Sequence, residues 1–479
     1  MALLSGLEGR IVGTRRIAFN TAAPIGARVV DAAFALIYLR LLGRTDVGAY
    51  TFLVVFTTYL DTLIDFGLNA VLAREVARKN INARIALRTV CALRFALWLI
   101  GLPLVVIVYG PGRDLANLSS EAATAGWIFY AGLAPTVIAK SASGVLWAAE
   151  RLEYTAAVSV LGTLLRVVLG AIVLFSGFGL IGLAAVSAVN NVVSASVLYV
   201  LQSRVHLPEA AHGSVRWIRE SWPLFLNQLL QGLFFKIDAL LLPGLGGLAA
   251  AGAYGAAYRV SEGAGIISSS FTLALFPRLS RTADLAEAYR LGLRVLLQIA
   301  LPLTAGVALL SAPIVAIVGG QQYLPDSATA LAILICYLPL SYANGLTQYV
   351  LIAAGRQRLL TVAFVAVFIF NVAGNVLLIP RYTFVGAALV TVLSEVVLLV
   401  PFRHAVRAVA PHVSLVAEAR APLIATILMA PVAWWLRDAI HPIAAMIAGA
   451  AVYAAALYST GGIDTRQQQV LRSLVRSRA

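Results

Sequence analysis

Charge is scarce in this chain. Of its 479 residues only 12% are Asp, Glu, Lys or Arg, against roughly 25% in soluble domains, and that shortage excludes a soluble globular enzyme. Cysteine is almost absent. Cys91 and Cys336 sit far apart in separate apolar runs, which excludes a disulfide framework and a thiolate metal site. The five histidines, 206, 212, 404, 412 and 441, lie in or near loops without metal-ligand spacing. The chain has no P-loop, no dinucleotide fingerprint in a βαβ context and no nucleophile elbow. It is therefore expected to be neither an enzyme nor a user of a cofactor, and uphill work must draw on a gradient, with H+ or Na+ as candidate coupling ions.

Apolar sequence is abundant instead, at 61% of residues. A bilayer-spanning helix needs about 20 apolar residues. Windows of that length fall near 18–41, 47–72, 86–109, 123–147, 155–176 and 180–201, then 220–242, 249–275, 290–318, 328–354, 359–379 and 383–402, with two more near 421–437 and 440–459. The fold class is thus an all-α polytopic membrane protein of about 14 transmembrane helices. The first run contains Arg28 and Asp31 and is too long for a signal segment, so it reads as a retained span.

Lys and Arg total 36 against 21 Asp and Glu, a net charge of +15. In a membrane protein such an excess marks cytoplasmic loops rather than nucleic-acid binding. With the N-terminus inside, the even-numbered loops hold Arg74, Arg78, Lys79, Arg84 and Arg88, then Arg151, Arg204, Arg216, Arg219 and further basic residues up to Arg420. The odd-numbered loops hold only Arg40, Arg44, Arg113, Arg381 and Arg437. Both termini are expected in the cytoplasm.

The chain also repeats. Gly43-x4-Gly48-Ala49-Tyr50 recurs as Gly247-x4-Gly252-Ala253-Tyr254, a shift of 204, which also maps Arg74 onto Arg278, Pro135 onto Pro339 and Gly182 onto Gly386. A shift of 205 carries Ala148-Ala149-Glu150-Arg151 onto Ala353-Ala354-Gly355-Arg356. An even number of spans per repeat gives two like-oriented, pseudo-twofold-related six-helix lobes facing a central cavity, plus two C-terminal helices. The expected division is an N-terminal lobe over 1–202, a cytoplasmic linker over 203–219, a second lobe over 220–402, and a last pair of spans with a basic tail over 403–479.

Ionisable side chains at bilayer depth are functional candidates by default, because burying them unpaired costs several kcal/mol. The first lobe offers Arg28, Asp31, Asp61, Asp65, Lys140 and Arg166; the second offers Lys236, Asp238, Arg259, Glu262 and Glu395. Arg28 with Asp31 and Arg259 with Glu262 are three apart, a spacing that permits local neutralisation. Lys140 and Arg166 have no acid one turn away in their own helices. They are expected either to line a cavity or to pair with Asp61, Asp65 or Glu395. Asp61 and Asp65, one turn apart, repel each other unless neutralised and suit an ion site, whereas Asp65-Phe66-Gly67 also reads as a helix-end bridge. Buried amides such as Asn190, Asn191, Gln298, Asn344, Asn371 and Asn375 read first as glue between helices. Tyr109, Trp147 and Trp222 read as interface anchors.

Gly43-Arg44-Thr45-Asp46-Val47-Gly48-Ala49-Tyr50, Asp65-Phe66-Gly67-Leu68 with Arg74, Ala354-Gly355-Arg356-Gln357-Arg358, Asn371 to Asn375, Ile379-Pro380-Arg381-Tyr382 and Val385-Gly386-Ala387-Ala388 resemble motifs of one family. It is the flippases for lipid-linked polysaccharide repeat units within the multidrug/oligosaccharidyl-lipid/polysaccharide exporter superfamily. The resemblance covers spans 1 to 12. It implies a monomeric, alternating-access flippase of the bacterial inner membrane, with undecaprenyl-pyrophosphate-linked oligosaccharide, membrane lipids and polysaccharide polymerase machinery as partners and no nucleic acid. Cavity cations carry over from the family only as a type. Placed by depth and charge, they are Arg28, Lys140, Arg166, Lys236 and Arg259, with Asp61 and Glu395 as the ion-coupling candidates. A peptidoglycan-precursor flippase and an ion-coupled multidrug antiporter are the alternatives from the same superfamily. A membrane glycan polymerase is disfavoured by the short outer loop near Gly110 to Glu121.

Overall fold

The computed structural model describes residues 26–27, 29–205, 215–279, 285–436 and 442–463. Arg28, the start of the first span, most of the 203–219 linker and the basic C-terminal tail lie outside the described residues. No strand occurs among the described residues. The helices are α1 (29–41), α2 (Arg44–Asp65), α3 (Leu68–Ala77), α4 (Ala83–Tyr109), α5 (Ser120–Ala131), α6 (Ala134–Ala148), α7 (Leu152–Phe175), α8 (Gly179–Ser203) and α9 (Trp217–Gly246). They continue with α10 (Leu248–Leu279), α11 (Leu285–Leu309), α12 (Ser311–Val318), α13 (Asp326–Leu334), α14 (Leu338–Ala353), α15 (Gln357–Arg407), α16 (Leu415–Leu436) and α17 (Pro442–Ser459). Each expected span coincides with one of these helices or with a broken pair, and α15 holds two spans separated by the non-helical Thr383. Without water in the hydrocarbon, backbone groups must bond within their own segment, so apolar windows become helices whatever their local propensity.

The repeat is visible in the backbone. Pro135 and Pro339 each occupy the first turn of their helix, α6 and α14, where a missing N–H leaves no bond unmade. The two helices also end alike. Arg151 N–H donates to Leu146 O at 2.9 Å and Glu150 N–H to Trp147 O at 3.0 Å; Arg356 N–H donates to Leu351 O at 2.9 Å and Gly355 N–H to Ile352 O at 3.0 Å. In both, the residue after the cap is left-handed, at φ 58° for Glu150 and 72° for Gly355. That position suits glycine, which has no Cβ to clash with the carbonyl.

Gly48 and Gly252 lie against each other. A Cβ on Gly48 would stand 2.0 Å from Leu248 O, and one on Gly252 would stand 1.9 Å from Arg44 O. The contact is reciprocal under the 204-residue shift, as a local twofold between the two motifs requires. Arg44 Nε reinforces it with a bond to Ala249 O at 2.8 Å.

The chain divides into two compact units, Met1–Gly255 with Asn375–Phe384, and Ala256–Gly374 with Val385–Ala479. These are drawn by packing, whereas the lobes are drawn by repeat. Helix α9 packs in the first unit: Tyr59 OH donates to Gly232 O at 2.9 Å, Asn117 Nδ2 to Pro243 O at 2.9 Å, and Arg74 pairs with Glu220. In the second unit α16 and α17 are held to α11 by a polar stripe one turn apart. Arg290 Nε and Arg294 Nε bond Glu418 at 2.9 and 2.6 Å, Gln298 Nε2 bonds Gly462 O at 2.8 Å, and Tyr453 OH bonds Gln298 O at 2.7 Å. The interface-anchor reading of Tyr109 is corrected. Its ring is 3% exposed, packed against Gly126 and Phe56, because a glycine on α5 opens room for it.

The shared helix ends predict opposite effects for opposite substitutions. Glu150→Gly should stabilise the protein by about 1 kcal/mol and Gly355→Ala destabilise it by a similar amount, since a left-handed side chain costs about 1 to 2 kcal/mol. Thermal unfolding in detergent measures both, and equal melting of the two variants would refute the account.

Candidate functional site

Two carboxylates one turn apart on α2 organise the polar interior of the first unit. Asp65 is 9% exposed and accepts from Arg94 Nη2 of α4 at 2.8 Å. Arg94, wholly buried, also donates through Nη1 to Ser141 Oγ at 2.8 Å, and the Ser141 hydroxyl in turn donates a hydrogen bond to Val137 O at 2.7 Å. Its Nε has no partner among the described residues. One turn earlier, Asp61 Oδ2 accepts from Lys140 Nζ at 2.8 Å. Here the side chains are 30% and 29% exposed. The two pairs therefore stand in series, one sealed and one open, with the cations coming from α4 and α6. The repulsion expected between Asp61 and Asp65 is cancelled by assigning each its own cation.

The sequence around Asp65 explains why the chain can do this. Phe66 at φ 47° and Gly67 at φ 71° stop α2, with Phe66 N–H closing onto Thr62 O at 3.0 Å, and allow α3 to restart at the buried Leu68. A Cβ on Gly67 would lie 2.8 Å from Leu224 Cβ of α9, so only glycine permits that approach. Phe66 then stacks on Phe225 of α9 with centroids 4.4 Å apart, and Arg74 reaches Glu75 and Glu220. The helix-end reading of Asp65 fits this arrangement, since it bridges α2 to α4 where α2 stops.

Arg166 of α7 donates from Nη2 to Asp31 Oδ1 of α1 at 2.7 Å, the side chains being 38% and 35% exposed. Of the alternatives open to Lys140, the structure realises the pairing with Asp61; Arg166 takes Asp31, an acid outside the three expected for it. Both pairings join distant segments, which spacing within one helix cannot disclose. Lys236 is half-buried on α9. In the second unit Arg259 pairs with Glu262 at 3.1 Å, as their three-residue spacing suggested. Glu395 is 3% exposed and pairs with no cation among the described residues: Asn344 Nδ2 donates to its Oε2 at 2.7 Å and to its backbone O at 2.9 Å. Asn191 bonds Gly132 O at 2.9 Å and Asn371 bonds Ser394 Oγ at 2.9 Å, the helix-joining role expected of amides.

Arg94 was absent from the sequence candidates although it lies mid-span. The signal was available, since an arginine within a 27-residue apolar helix demands an acid. A cavity of about 370 Å³ lies elsewhere in the first unit, lined by Thr45, Asp46, Asp114, Asn117, Ser119 and Leu248 among others. None of the described candidate cations borders it.

The family model described as "Polysaccharide biosynthesis protein" matches residues 14–283, more than half of the chain. The chain belongs to this family. A second family model, "Lipid II flippase MurJ", matches residues 249–451. No curated relative matches in sequence. Among solved structures, a lipid II flippase MurJ in an inward closed conformation superposes with a TM-score of 0.76 at 14% identity, covering 92% of this chain and 98% of that one. An inward-facing multidrug resistance MATE family transporter gives 0.65 at 19%, covering 79% and 93%. A MOP superfamily transporter from Pyrococcus furiosus, described by a binding pocket of reverse polarity, gives 0.60 at 19%, covering 81% and 94%. This member of the polysaccharide biosynthesis family is thus a multi-pass membrane protein with the MOP fold, and the families it matches are flippases and transporters rather than catalysts.

The buried pair makes a sharp prediction. Arg94→Met should cost about 3 to 5 kcal/mol by stranding Asp65, and adding Asp65→Leu should restore most of the loss. Thermal unfolding of the single and double variants tests this; a double variant as unstable as the single would show that the pair is not the unit.

Proposed function

We propose that this protein flips polyprenyl-pyrophosphate-linked oligosaccharide repeat units from the cytoplasmic to the periplasmic leaflet of the bacterial inner membrane by alternating access, both chain ends being cytoplasmic. The observation that carries the proposal is the open pairing of Lys140 with Asp61 and of Arg166 with Asp31. Both pairs are about one third exposed at bilayer depth. Pairs in contact with hydrocarbon would gain by being sealed, as Arg94 and Asp65 are; pairs left open suit a surface met by water or a charged headgroup. A sugar pyrophosphate cannot cross lipid unaided, because its charge and hydroxyls lose their hydration. Cations that release a carboxylate to take a phosphate replace that hydration, with arginine offering two parallel bonds and lysine a point charge.

Lys140, Arg166 and Lys236, all in the first unit, are the pyrophosphate and sugar contacts on which the proposal rests. Arg28 lies outside the described residues and Arg259 belongs to the second unit; both remain in the set read from sequence. Two negative charges moving outward across a membrane negative inside gain about 4 to 5 kcal/mol per 100 mV. Exchange of H+ or Na+ through Asp61 or Glu395 adds to that drive. A second reading, a lipid-linked peptidoglycan precursor as cargo, is favoured by the lipid II flippase model matched over 249–451. It keeps the same pyrophosphate chemistry and changes the headgroup.

Lys140→Ala and Arg166→Ala should each abolish flipping of a fluorescent polyprenyl-pyrophosphate sugar in proteoliposomes while the protein still inserts and folds. The charge-balanced Lys140→Ala/Asp61→Ala variant should be equally inactive, since it lacks the cation without freeing an acid. Wild-type rates in these variants would remove both residues from the site. The lipid-linked intermediate that accumulates on the cytoplasmic leaflet in cells lacking the protein decides between the two cargoes.

A further inference from the structure

Among the intramembrane acids described, Glu395 is singular. Asp31, Asp61, Asp65 and Glu262 each face a Lys or Arg within 3.1 Å. Asp238 takes the Tyr254 hydroxyl. Glu395 is as deeply buried as any of them, yet among the described residues its carboxyl meets only the Asn344 amide and the Ser341 hydroxyl, both from α14.

Among the described residues no neighbouring element brings it a cation. Helix α14, from Leu338 to Ala353, contains no charged residue; its Tyr342 hydroxyl is spent on Ala264 O at 2.6 Å. On the same long helix α15, Asn371 and Ser394 bond each other. Helix α11, which packs on α14, commits Arg290 and Arg294 to Glu418 and its Tyr289 hydroxyl to Thr347. Helix α10 commits Arg259 to Glu262. The amide oxygen of Asn344, a residue 2% exposed, is buried with no partner. The pocket around Glu395 is therefore built from neutral groups with an acceptor to spare. A carboxylate there would be an isolated buried charge, costly by several kcal/mol, whereas a carboxylic acid is a neutral group that brings a donor.

We propose that Glu395 is a proton-binding site of the second unit, occupied while the α14–α15 packing is closed and discharged when that packing opens to water. The step is a simple ionisation: the carboxyl O–H bond breaks, the electron pair stays on the carboxylate, and the proton passes to water. Asn344 holds the acid through its N–H in both states. Of the two ion-coupling candidates, Asp61 has its charge answered by Lys140, whereas Glu395 has no such partner among the described residues. The site gives the flippase reading above a chemical means of coupling to a pH gradient, and only its transport arm rests on that reading.

Two measurements test it. In lipid nanodiscs at neutral pH, infrared spectra with isotope-labelled glutamate should show a protonated carboxyl band that Glu395→Gln lacks. Glutamine preserves the acceptor for Asn344 and has no charge, so this variant should fold; Glu395→Asp, which moves the acid by one methylene, should retain a shifted band. Identical carboxyl spectra in wild type and Glu395→Gln would overturn the proposal. In proteoliposomes at clamped membrane potential, one coupled proton should change the leaflet distribution of a fluorescent polyprenyl-pyrophosphate sugar by about tenfold per unit of pH gradient, and Glu395→Gln should abolish that dependence. A variant that keeps the wild-type pH dependence would also overturn it. Wild-type protein that moves no such lipid would remove the functional reading instead, and the infrared comparison would then decide the proton site alone.

Discussion

The cost of an unanswered charge in hydrocarbon governs this molecule more than any single contact. With 12% charged residues spread through helices of bilayer length, each ion within a span must find a partner, a polar surface or a proton. The first unit uses the first solution twice over, on one helix. Asp65 is sealed against Arg94 and Asp61 is left open against Lys140, so a single face of α2 carries both a buried and a partly exposed ion pair. In the second unit Glu395 meets an amide and a hydroxyl in place of a cation among the described residues, the arrangement from which a proton as its partner is proposed.

The short motif at the end of α2 shows how several requirements can meet in four residues. Asp65 supplies the counter-ion for α4, Phe66 the aromatic stack on α9, Gly67 the left-handed turn and close approach, and Leu68 the buried start of α3. Replacing any one disturbs a different neighbour, so the motif acts as a joint among α2, α3, α4 and α9. That joint is why α9, which begins the second sequence repeat, packs into the first unit. Repeat boundaries record descent of the chain, whereas compact units record where apolar and aromatic surface is buried, and the two need not coincide.

The helices and the repeat were legible because both are written in local sequence. Apolar length gives the span, and the proline and glycine landmarks reappear in the structure as the same first turns and the same left-handed caps. A single pairing was legible only where both partners lie on one helix, as with Arg259 and Glu262; between helices, Asp61 was one of three acids open to Lys140, and Asp31 was not among those named for Arg166. Arg166 and Asp31 are 135 residues apart, and Lys140 and Asp61 are 79 apart; no periodicity links them. The same limit hid the stripe Arg290, Arg294 and Gln298, whose meaning depends on α16 and α17 lying against it. Arg94 carries a readable signal of another kind, because an arginine in the middle of a long apolar helix implies a buried acid on a neighbouring one.

Pairing does not disqualify Lys140 and Arg166 from binding an anion. An open ion pair is worth about 0 to 1 kcal/mol, because its members remain partly solvated and can separate at little cost. A sealed pair is worth several, because separation strands a buried charge. A pyrophosphate brings two charges and several acceptor oxygens to the same cation, enough to outbid one aspartate at an open pair but not at a sealed one. The burial difference between Asp61–Lys140 and Asp65–Arg94, about 30% exposure against a wholly buried guanidinium, therefore sorts the cations by role. On the proposed function, the open ones trade partners during transport, and the sealed one keeps the face of α2 in place while they do.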